Sequence, residues 1–125
     1  MEKMIKALLV TLEGIQEVEL ESGNLDQYYE LIQCDTMTGA GYPDELHAAW
    51  ADDEGLLNLD EKDQANFVTW HPEPLVGRLL ITGYDPETGE STSVTMTAEE
   101  LEQKVSILPL FKTVDVASGD PRGWA

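Results

Sequence analysis

From Ala7 to Glu61 the chain contains neither lysine nor arginine, while every acidic residue from Glu13 to Glu61 falls inside that stretch. Nearly half of the 125 residues therefore form a field of one sign. The whole chain has seven basic against 25 acidic residues, a formal net charge of −18. Self-repulsion of that size works against compaction, favours solubility, and turns DNA, RNA and anionic membranes away. The partners that remain are cations and proteins with basic surfaces. Three plainer readings compete with a functional acidic face: solubility alone, a salt-rich habitat, or a family habit without a role.

Other absences narrow the field. A single cysteine, Cys34, forms no internal disulfide. Residues 1–10 lack the long apolar core and small-residue cleavage site of a signal peptide. Together these lead us to expect a cytoplasmic protein. No run approaches the roughly 18 apolar residues of a membrane span. No Gly-x-Ser-x-Gly or Walker motif occurs, and Cys34 has no recognisable base. Gly39-Ala40-Gly41 lacks the third glycine and the flanking strand and helix of a dinucleotide fingerprint. The acids of Asp52-Asp53-Glu54-Gly55 are consecutive rather than alternating, unlike a calcium loop. His47, His71 and Cys34 lack paired zinc spacing. We expect no catalytic residues, no metal and no cofactor, and hence not an enzyme.

What is present is enough for one fold. At 42% apolar the chain is globular. One domain over 1–110 and a tail over 111–125, mobile at its end, fit its size. Met4–Leu12 is apolar on both faces and reads as a buried central strand. Glu13-Gly14 makes a turn. From Ile15 to Glu21, Val18 and Leu20 alternate with Glu17, Glu19 and Glu21, the period of a half-buried strand. The three glutamates would stand about 6.6–6.8 Å apart on one face. Such a row resembles a nucleic-acid backbone in charge spacing, but also an ordinary solvated face.

Further on, Asn24 caps a short amphipathic helix over 24–34, with Gln27 as a capping-box partner. Residues 36–43 read as a connection and 45–51 as a strand with Leu46, Ala48 and Trp50 on one side. A return strand is expected over 56–59. Asp60 would cap a second helix over 61–70, ended by His71-Pro72. Residues 75–82 form a second buried strand, 85–90 a turn, and 91–96 a short strand or extended approach. Thr97-Ala98-Glu99-Glu100 is a capping box opening a helix to about Ile107. The fold class is α+β: a mostly antiparallel sheet of four to six strands, centred on 4–12 and 75–82, with about three short helices.

Three segments carry a resemblance. They are Met4-Ile5-Lys6-Ala7-Leu8-Leu9-Val10, Trp50-Ala51-Asp52-Asp53-Glu54-Gly55, and Leu75-Val76-Gly77-Arg78-Leu79-Leu80-Ile81-Thr82-Gly83. Over most of residues 4–105 the chain resembles a domain-of-unknown-function family carried largely by bacteriophages and other mobile elements. Members usually have an asparagine-alanine pair after the acidic turn, where this chain has Ala65-Asn66 in the opposite order. The resemblance implies a phage or mobile-element setting and transfers no catalytic residue.

The leading expectation is an acidic inhibitor of a host nucleic-acid-binding defence protein, of the anti-CRISPR or anti-restriction kind. It would compete for a Lys- and Arg-lined channel through Glu17, Glu19, Glu21, Asp44, Glu45, Asp52, Asp53 and Glu54. The alternatives are a binder of a small ligand or signalling nucleotide, and an assembly partner using Trp50, Trp70 or Trp124. The scarcity of cations opposes a nucleotide site.

Overall fold

The computed structural model describes residues 4–53 and 62–110. β1 (Met4–Thr11) and β2 (Gly14–Glu21) form a hairpin in which Thr11 pairs with Gly14 and Met4 with Glu21. Only Leu12 and Glu13 lie in the loop, and Gly14 leaves it at φ +124°, a conformation that suits glycine. On its other side β1 pairs with β7 (Leu79–Tyr84), Leu8 opposite Ile81. β7 in turn pairs with β4 (His47–Asp52), and β4 with β3 (Met37–Gly39). The order is β2-β1-β7-β4-β3, with β8 (Ser91–Thr92) also on β7, and every pairing is antiparallel.

The apolar character of β1 on both faces follows from this central place. Ile5, Ala7 and Leu9 join Leu20 and Leu80 beneath Tyr28 and Ile32 of α1 (Leu25–Ile32). Leu8 and Val10 point the other way, with Ala49, Ala51, Leu79 and Ile81. That second face is covered by a smaller sheet ordered β6-β5-β9: β6 (Leu75–Val76), β5 (Gln64–Val68) and β9 (Val105–Pro109). Val68, Leu75, Val105 and Ile107 pack inward from it, alongside Leu101 of α2 (Ala98–Glu102) and Met96. Each fully buried aliphatic side chain contributes roughly 1.5–3 kcal/mol. Ile5, Leu8, Leu20, Ile32, Leu79, Leu80, Ile81 and Leu101, at most 1% exposed, are therefore among the positions where truncation to alanine would cost most.

α1 begins as expected. The side chain of Asn24 accepts from the Gln27 N–H, and Gln33 ends the helix in the left-handed conformation. Gln27 does not close a capping box. Its Oε1 accepts from the Glu21 N–H instead, tying the helix to the end of β2. α2 carries the full box, with Thr97 Oγ1 accepting from the Glu100 N–H and Glu100 Oε1 accepting from the Thr97 N–H.

Four expectations are corrected. Residues 64–68 form a strand, not part of a helix over 61–70, so two helices rather than three occur among the described residues. The helix after Thr97 ends at Glu102, and Val105 to Pro109 is strand. Residues 37–39 within the expected connection pair with β4. The stretch 75–82 is not one strand: Gly77, at φ +92°, turns the chain out of β6 in the small sheet and into β7 in the large one. The return strand expected over 56–59, the cap at Asp60 and the tail over 111–125 lie outside the described residues.

Candidate protein-binding face

Glu17 and Glu19 are exposed on β2, which is an edge of the large sheet. They share one face of the strand, as the alternation requires. Lys6 sits directly opposite Glu19, so the row is not purely acidic. Glu21 is half-buried and accepts from Asn24 Nδ2 at 3.0 Å, which makes it part of the α1 cap.

Asp44 and Glu45 lie in the turn that enters β4. One Asp44 oxygen accepts from the Leu46 N–H at 2.9 Å and from His47 Nδ1 at 2.7 Å. Burial raises the Asp44 pKa, but the hydrogen bonds from His47 and from the Leu46 N–H, helped by the charge of Lys104, outweigh it and hold the carboxyl below its ordinary value. His47 is buried, and its Nε2 accepts from the Thr95 and Met96 N–H groups at 3.1 and 3.2 Å. The ring thus pins the start of β4 to the segment before α2. Around it opens a cleft of about 530 Å³ lined by Asp44, Glu45, Leu46, His47, Thr95, Met96, Glu100 and Lys104.

Asp52 and Asp53 sit at the other end of β4, five strand rises or roughly 17 Å from His47. The Asp52 side chain is 5% exposed and pairs with Lys62 Nζ at 2.6 Å. Lys62 also donates to the Gln33 carbonyl at 3.2 Å, and Arg78 donates to the Leu31 carbonyl at 3.4 Å. Two cations distant in sequence thus meet the C-terminal end of α1, where the helix dipole favours them. Asp53 is exposed, and Glu54 lies outside the described residues.

The expected acids therefore do not form one row. Pairing of Leu8 with Ile81 and of His47 with Gly83 brings the β1 start, the β2 end, the β4 start and the β7 end to one end of the sheet. Glu19, Glu21, Asp44 and Glu45 belong to that end, joined by Asp85, Glu87 and Glu90 in the turn after β7. β2 and β4 are three strand spacings apart, roughly 14 Å. Asp52 and Asp53 are at the far end. The acids after β7 lay outside the expected set because they are distant in sequence from the lysine-free stretch. Among the described residues, no three His, Cys, Asp or Glu side chains are placed to hold a metal ion. Burial, then the nearby charge of Asp52, pushes the Cys34 thiol up to about 11.

With this geometry in hand, comparison with known families matches residues 5–106 to a domain of unknown function, DUF3846. The chain belongs to this family. The match spans the hairpin, both helices and both sheets as far as the start of β9. No curated protein and no solved structure matches the chain. No helix among the described residues is long and apolar enough to cross a membrane.

Proposed function

We propose that this DUF3846 protein is a non-enzymatic acidic binding protein of a phage or mobile element. It inhibits a host nucleic-acid-binding protein by occupying the basic surface meant for nucleic acid. The observation that carries the reading is the direction of the charges. Lys62 and Arg78 turn inward onto α1 and Asp52, whereas Glu17, Glu19, Asp44, Glu45, Glu87 and Glu90 are exposed. The acidic end of the sheet is neutralised in part, by Lys6 opposite Glu19 and by Lys104 beside Asp44, and its exposed acids outnumber these cations. A Lys- and Arg-lined channel would exchange its counterions for these carboxylates, with steered, salt-sensitive association.

The test is capture from a bacterial lysate at low salt, with elution by stepped salt and by duplex DNA. Recovery of one nucleic-acid-binding protein that DNA displaces supports competition. A partner indifferent to both salt and DNA overturns it. Charge reversal by Glu17→Lys with Glu19→Lys, and separately by Asp44→Lys with Glu45→Lys, reports which part of the face is used.

The cleft beside His47 favours a second reading, since its volume is that of a small-ligand site. Among the described residues that line it, the one lysine or arginine is Lys104, against Asp44, Glu45 and Glu100, so an anionic nucleotide is a poor fit. A thermal shift with cyclic nucleotides would support that reading, because a bound ligand stabilises the fold.

A further inference from the structure

The hydrogen-bonding phase of the hairpin exposes a feature that charge alone does not describe. In an antiparallel pair, opposed residues alternate between those that bond each other and those whose N–H and C=O point away. Lys6 points away from β2, since its N–H donates to Ser93 Oγ and its carbonyl accepts from the Val94 N–H. Glu21 points away from β1, since its N–H donates to Gln27 Oε1 and its carbonyl accepts from the Asn24 N–H. Lys6 pairs with Glu19 and Met4 with Glu21, so both pairs are of the outward kind. The alternation then assigns the same phase to Glu17 and Ile15. Their backbone groups face out from the sheet edge, and among the described residues nothing bonds those of Ile15, Glu17 or Glu19.

This open edge has defined limits. Gln27 and Asn24 close it at Glu21, and the two-residue turn closes it at Gly14. Between them lie three outward residues, enough for a short added strand. The side chains fix what that strand must be. A residue placed opposite Glu17 or Glu19 shares their face and meets a carboxylate at about 4.5–5.5 Å. A residue opposite Val18 lies on the other face, beside an apolar side chain that packs with Leu20 and Ile5. A second copy of β2 is a poor occupant, because it would bring glutamate against glutamate.

We infer that the β2 edge is a strand-addition site for an extended basic segment of a partner protein, patterned basic–β-branched–basic opposite Glu17, Val18 and Glu19. Backbone bonding supplies the register and the alternating side chains supply the selectivity. The inference rests on the acidic-binder reading only in taking the partner to be basic.

The probe is a short blocked peptide with a Lys-Val-Lys core, added to the full chain. Binding is read by fluorescence anisotropy and by amide hydrogen exchange at Ile15, Glu17 and Glu19. The expected result is slowed exchange at those three amides and little response to a Glu-Val-Glu peptide. Glu17→Pro removes one outward donor at an edge position that tolerates proline, and should weaken binding about three- to tenfold. Glu17→Gln keeps the donor and should lose only the salt-sensitive part. A peptide N-methylated on its bonding amides tests the ladder without altering the protein, and should not bind. Equal binding by that peptide reduces the interaction to charge attraction and overturns the proposal. So does slow exchange at these amides without peptide, whether the edge is filled by another part of the chain or by a second copy. If lysate capture remains salt-sensitive while the ladder test fails, this inference falls and the acidic-binder reading stands. A peptide ladder without DNA-displaceable capture gives the reverse.

Discussion

Gln64 donates its side-chain amide to Asn66 Oδ1 at 2.9 Å, two residues along the same face of β5, with both side chains fully buried. The amide nitrogen of Asn66 donates to the Leu75 and Gly77 carbonyls at 2.8 and 2.6 Å. Those two carbonyls fix which end of the Asn66 amide is the donor, and this fixes Gln64 as well. Gln64 Oε1 is left as the one buried side-chain acceptor with no partner among the described residues.

The two amides should respond unequally to removal. Asn66→Ala strips partners from two carbonyls and from Gln64, and should destabilise by about 2–4 kcal/mol. Gln64→Leu removes an unsatisfied acceptor together with one donor, and should cost about 1–2 kcal/mol less than Asn66→Ala. Urea unfolding of both variants checks the order, which an ordinary apolar-packing role for Asn66 would not produce.

The Lys62–Asp52 pair should behave as a buried ion pair. Lys62→Met removes the cation paired with the Asp52 carboxylate and the side-chain donor to the Gln33 carbonyl. The expected cost is about 3 kcal/mol. Adding Asp52→Asn to Lys62→Met should recover part of that loss, and a double-mutant cycle in urea measures the coupling.

The Asp44 carboxyl, held below its ordinary value of 3.8, links stability to pH. Its contribution is present above that ordinary value and is lost as pH falls through the lowered folded value. Asp44→Asn should therefore be less stable than the parent at neutral pH. The gap should close as the solution is acidified below 3.8, which paired acid titrations of the two proteins would show.

Cys34, with its thiol raised to about 11, should be a poor nucleophile at neutral pH. Alkylation by iodoacetamide at pH 8 should be slower in the native protein than in urea, and slower than for free glutathione. Rapid native alkylation would contradict the placement of this side chain.

The strands that the sequence made legible are those whose hydrophobic pattern survives in place. β1 is apolar on both faces because it is sandwiched between α1 and the small sheet, and β2 alternates because it is an edge strand that buries Leu20 and leaves Glu17 and Glu19 exposed. β5 was hidden for a physical reason. Its buried face carries Gln64, Asn66 and Val68, so two of three inward positions read as solvent-facing. The acids around Asp60 then supplied a plausible helix start. Likewise the capping box at Thr97 marks the beginning of α2, but Val105 and Leu108 also fall at helical spacing from Leu101, which hides the return to a two-residue period at Val105 and Ile107. The acidity of the chain is legible as a charge excess. Its division between two ends of β4, and the inward turn of Asp52, depend on pairings between distant segments and on Lys62.

The central strand also sets a timetable for synthesis. β1 can fold onto β2 within about 1–10 μs of their emergence, because only a tight loop separates them. Its other neighbour lies far downstream, with Leu8 opposite Ile81. At about 5–20 residues per second, a ribosome takes roughly 4–15 s to make the intervening chain. Through that interval the hairpin stands with Leu8, Leu9 and Val10 uncovered by β7, and with the strand's second row of backbone groups unpaired. A strand buried along most of its length in the finished protein thus stays uncovered on one side until β7 has been made.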